Sequence, residues 1–67
     1  MKKNEVKKIN NNWKEFTGYN NSIDFWKENN KDSKLLQETI TKFMQKYDYY
    51  HCGYSYEVWN YLTYGWY

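Results

Sequence analysis

Three residue types are missing from this 67-residue chain: it contains no alanine, no arginine and no proline. Its three glycines, Gly18, Gly53 and Gly65, stand far apart. There is therefore no Pro-rich or Gly/Ser-rich stretch to serve as a linker, and no glycine-rich loop to cradle a phosphate. No internal repeat is visible either, so residues 1–67 are expected to form one small domain. The absence of arginine removes the commonest base-reading side chain. The three missing types have codons rich in G and C, whereas the abundant Lys (10), Asn (9) and Tyr (9) have codons rich in A and T. The composition points to an A/T-rich genome, such as that of a low-GC bacterium or one of its phages. Mutational bias then weakens any argument from lysine standing in place of arginine.

Cysteine is almost absent as well. A single Cys52 excludes an internal disulfide and fits a reducing compartment. Long apolar runs are also lacking. The opening "MKKNEVKKIN" has the lysines of a signal peptide, but no apolar core of seven or more residues follows it, and nothing approaches a membrane span. The expectation is a cytoplasmic protein with no membrane partner.

Chemistry-bearing groups are sparse. His51 and Cys52 are adjacent, but neighbouring side chains diverge by about 100° on a helix and point to opposite faces of a strand. A thiol nucleophile also needs an orienting third group and an oxyanion site. One His and one Cys, even with Asp48 added, fall short of a closed zinc site. The eight carboxylates are scattered and mostly lie beside lysines, and a chain this short has little room for a pocket that would shift their pKa values. The reading is non-enzymatic, with no catalytic residue, no metal and no cofactor.

What the chain does have is rings. Hydrophobic residues make up 40% of it, and 16 of those 27 are aromatic. Each ring can bury roughly 150–250 Å², so 16 exceed what so short a chain can enclose. The rings concentrate in "YDYYHCGYSYEVWNYLTYGWY", residues 47–67, where ten of 21 residues are Tyr or Trp. Charge divides the other way. Residues 1–46 hold all ten lysines against six acids, and residues 47–67 hold Asp48 and Glu57 and no lysine.

The spacing predicts an all-α domain of three or four short helices. Val6, Ile9, Trp13 and Phe16 recur at 3, 4 and 3, one stripe of a helix over 3–17, with Gly18 placed for a left-handed cap. Three consecutive asparagines inside it are poor helix formers, so this helix is expected to depend on packing. A short helix over 22–30 has Asn21 or Ser22 as N-cap, Asp24 in its first turn and Phe25 and Trp26 as anchors. A longer one over 33–47 has Asp32 or Ser33 as cap and Leu36, Ile40, Phe43 and Tyr47 on its inner stripe, with Glu38 and Lys42 as an i,i+4 pair opposite. The tail admits two readings. Ser55 as N-cap, Glu57 in the first turn and Gly65 as stop enclose a helix of about ten residues with Val58, Trp59 and Leu62 on one face. The alternative is an α+β fold whose residues 47–60 form a β-hairpin around Cys52-Gly53, since Tyr, Trp, Val and Thr favour strands.

In the helical reading Tyr56, Asn60 and Tyr64 stand at i, i+4 and i+8 on the outer face, and Tyr49, Tyr50, Trp66 and Tyr67 widen that patch. Stacking of single-stranded nucleic acid on these rings would call for an electropositive groove beside them, and the tail carries no lysine. Protein recognition has no such requirement, and Tyr and Trp are enriched at hot spots. The expected function is a protein-binding module, a small phage or mobile-element inhibitor that sterically blocks a larger host protein such as a defence nuclease. The same end of the chain could also serve self-association into a homo-oligomer. The second reading is a small nucleic-acid-binding regulator. It would use Lys3, Lys7 and Lys14, which fall within about 40° of one another on the first helix, or the second and third helices as a helix-turn-helix-like pair.

Overall fold

The computed structural model describes residues 1–65; Trp66 and Tyr67 lie outside the described residues. Short polar residues and glycines punctuate the chain into α1 (Lys3–Thr17), α2 (Ser22–Glu28), α3 (Ser33–Lys46), one 3-10 turn (Tyr49–His51) and α4 (Ser55–Tyr64). Asn21 Oδ1 accepts from the Asp24 N–H at 2.8 Å, and Asp32 Oδ1 accepts from the Leu35 N–H at 3.1 Å. Each satisfies a donor that the first turn leaves open. α1 and α4 end on Gly18 and Gly65, whose φ of 84° and 81° is left-handed and whose N–H groups donate to the Lys14 and Tyr61 carbonyls. A side chain at either position would be strained there.

No strand occurs among the described residues, so the hairpin alternative for residues 47–60 is not formed. The 3-10 turn and the first half of α4 occupy that segment, with Asp48 and Gly53 at φ 59° and 84° bending the chain. Helix outweighs the strand propensity of the tail because the helical period puts Val58 and Leu62 together at the core, where both are buried. Three boundaries differ from expectation. α2 stops at Glu28: Asn29 donates its side-chain amide to the Phe25 carbonyl at 2.7 Å, and Asn30 and Lys31 turn left-handed at φ 62° and 54°. α3 stops at Lys46, with Tyr47 as C-cap, and Ser55 is the first residue of α4, with Tyr54 as its N-cap. The expected Glu38–Lys42 pair does not close. Among the described residues the N-terminal amine pairs with Glu57 at 3.5 Å, and His51 Nδ1 lies 2.7 Å from Asp48 Oδ1.

α3 is the central element, in contact with α2, the 3-10 turn and α4. The core gathers Ile9 and Trp13 from α1, Leu36, Ile40, Phe43 and Met44 from α3, Tyr49 from the 3-10 turn, and Val58 and Leu62 from α4. Its centre is a run of rings, edge to face around Trp13 and tilted or stacked around Phe43. Trp13 meets Phe25 at 5.6 Å and Phe43 at 5.1 Å between centroids, and Phe43 leads on to Tyr47 at 4.9 Å and Tyr49 at 5.4 Å. Such contacts stabilise beyond the area they bury, by about 0.5–1.5 kcal/mol each. Lys46 lies over Phe16 and Tyr47, 5.5 and 5.7 Å from the ring centroids, and shields that edge of the core. The resulting radius of gyration, 10.8 Å, matches the roughly 11 Å of a compact chain of this length.

Candidate protein-binding surface

Helical spacing on α4 and the cap at Gly65 hold Tyr56 and Tyr64 outward, 77% and 62% exposed, two turns apart. Tyr50, on the 3-10 turn, is 42% exposed. Two other expected members of the patch are not on the surface. Tyr49 is a core residue: its ring stacks on Phe43 and its hydroxyl accepts a hydrogen bond from the Asn12 side-chain amide at 2.8 Å. Asn60 is buried. It sits one turn from Tyr56 and one turn from Tyr64 on the same face, and its side chain is much the shortest of the three. Trp66 and Tyr67, also expected in the patch, lie outside the described residues.

The asparagine run in α1 explains how the tail is fastened. Tyr61 donates its hydroxyl hydrogen to Asn10 Oδ1 at 3.0 Å, and Asn12 donates to the Tyr49 hydroxyl. Two poor helix formers are thus the polar anchors for two tail tyrosines, some 50 and 37 positions away in the sequence. The only sequence signal for this was the run itself, placed where a helix former was to be expected.

On α1, Asn10 lies three residues after Lys7 and four before Lys14, so it neighbours both on one helix face. Its hydrogen bond with Tyr61 joins that face to α4. Lys3, Lys7 and Lys14 are all exposed.

Burial tunes three tail hydroxyls. The Tyr49 phenol is pushed above its usual value near 10 by loss of solvent, partly offset by the Asn12 hydrogen bond. Tyr47 is raised by burial and by Glu15, and Tyr54 by burial and by Glu5 and Cys52. All three stay neutral across the physiological range. Near them, His51 Nδ1 lies 2.7 Å from Asp48 Oδ1, while the Cys52 thiol donates to the Tyr49 carbonyl at 2.9 Å. The adjacent His and Cys thus have separate partners. No cluster of His, Cys, Asp and Glu suited to a metal occurs among the described residues, and no helix is long and apolar enough to cross a membrane.

The surface offers stiff, amphipathic rings on α4 and exposed positive charges on α1, the ingredients of a contact surface. Comparison with known proteins finds no family model, no curated protein and no solved structure that matches this chain.

Proposed function

We propose that this chain is a non-enzymatic protein-binding module that acts by occupying a surface of a larger partner, as a small phage or mobile-element inhibitor of a host protein would. The observation that carries the reading is the exposure of Tyr56 and Tyr64 at 77% and 62% on a helix whose other side buries Val58 and Leu62. Rings of this size left in water contribute little to folding, and on a partner they give large contact area with little side-chain entropy to lose. Lys3, Lys7 and Lys14 steer the approach of an acidic partner and raise the association rate at low salt.

The test is affinity capture from the native host with the wild-type chain and with Tyr56→Ala plus Tyr64→Ala. The double variant is expected to lose its partner while keeping its far-UV circular dichroism and its melting temperature. If the double variant unfolds, the rings belong to the core and the reading fails.

A second reading, a nucleic-acid-binding regulator, is favoured by one observation: Lys3, Lys7 and Lys14 are all exposed on α1, free to meet phosphates. Changing Lys3, Lys7 and Lys14 to Gln separates the two. Protein capture is expected to survive at physiological salt with a slower on-rate, whereas a salt-dependent nucleic-acid shift would disappear. Nuclease treatment before capture gives the same decision.

A further inference from the structure

We draw no further inference here: the strongest candidate, the apolar groove of about 430 Å³ beside Tyr64, between the start of α2, the first turns of α3 and the end of α4, is an unpartnered face, and nothing in the structure shows what covers it.

Discussion

The hydrogen bond from Asn12 to Tyr49 gives the sharpest test of how the tail is held. Its two ends are unequal in solvent access: Tyr49 is 5% exposed, whereas Asn12 is half-buried. Removing either partner breaks the same bond but leaves different residues behind. Asn12→Ala strands a hydroxyl in the core, at a cost of about 1–3 kcal/mol. Tyr49→Phe strands only an amide that water can reach, so the loss is about 0.5–1.5 kcal/mol. Alanine is also the better helix former, and that gain of up to roughly 0.7 kcal/mol partly masks the first loss. Asn11→Ala, at an exposed position of the same helix, measures the gain alone and allows it to be subtracted.

The protein's stability is on the order of 3–10 kcal/mol for 67 residues, so a loss of about 2 kcal/mol is large and lowers the melting temperature by roughly 8–16 °C. The assay is urea unfolding followed by tryptophan fluorescence and circular dichroism, run as a double-mutant cycle. After the Asn11 correction, Asn12→Ala is expected to be the more damaging single change. The double variant should be close to Tyr49→Phe alone, since the orphan is then gone. If Tyr49→Phe proves the worse of the two, or the coupling between the sites is near zero, the bond does not fasten the tail and the account is wrong.

Two further outcomes follow from the same core. Tyr47, Tyr49 and Tyr54 all have pKa values raised by burial, so their contribution is fully present below the unfolded value near 10 and is lost as pH climbs through the raised folded values. Unfolding at high pH, tracked by tyrosinate absorbance together with circular dichroism, should be cooperative; three independent titrations of a chain that stays folded would contradict this. Trp13 is fully buried and in edge contact with Phe25 and Phe43, so Trp13→Ala should remove about 3–5 kcal/mol. That is comparable with the whole stability, and a cooperative thermal transition above ambient temperature would refute the central place given to this ring.

The helices were legible in the sequence because their signals are local. Apolar spacing in α1 and α3 matches the buried faces, and Asn21, Asp32, Gly18 and Gly65 do at the ends what their side chains, or the lack of one, allow. Even the ambiguous tail resolved in favour of the reading in which stop signal and spacing agreed. The site was less legible. Burial of Tyr49 depends on Asn12, and the position of Tyr61 depends on Asn10, contacts that pair residues from opposite ends of the chain. A helical wheel also treats every outward position as exposed, and so it placed Asn60 in water without weighing the larger residues a turn away on each side. The groove beside Tyr64 needed three helices to exist at all.

Mutational bias toward A and T is the strongest rival explanation of the exposed rings. Tyrosine codons are A/T-rich, but so are those of lysine and asparagine, and both of these are far better suited to a solvated face. On α1 that is the outcome: Lys3, Lys7, Asn11 and Lys14 fill the outer positions. On α4 the same bias would act on the same kind of surface, yet Tyr56 and Tyr64 stand exposed there and the helix carries no lysine. Bias toward A and T therefore does not select between the two faces. On the proposed reading the difference lies in use: contact with another molecule is the physical use of an exposed ring that water does not already serve.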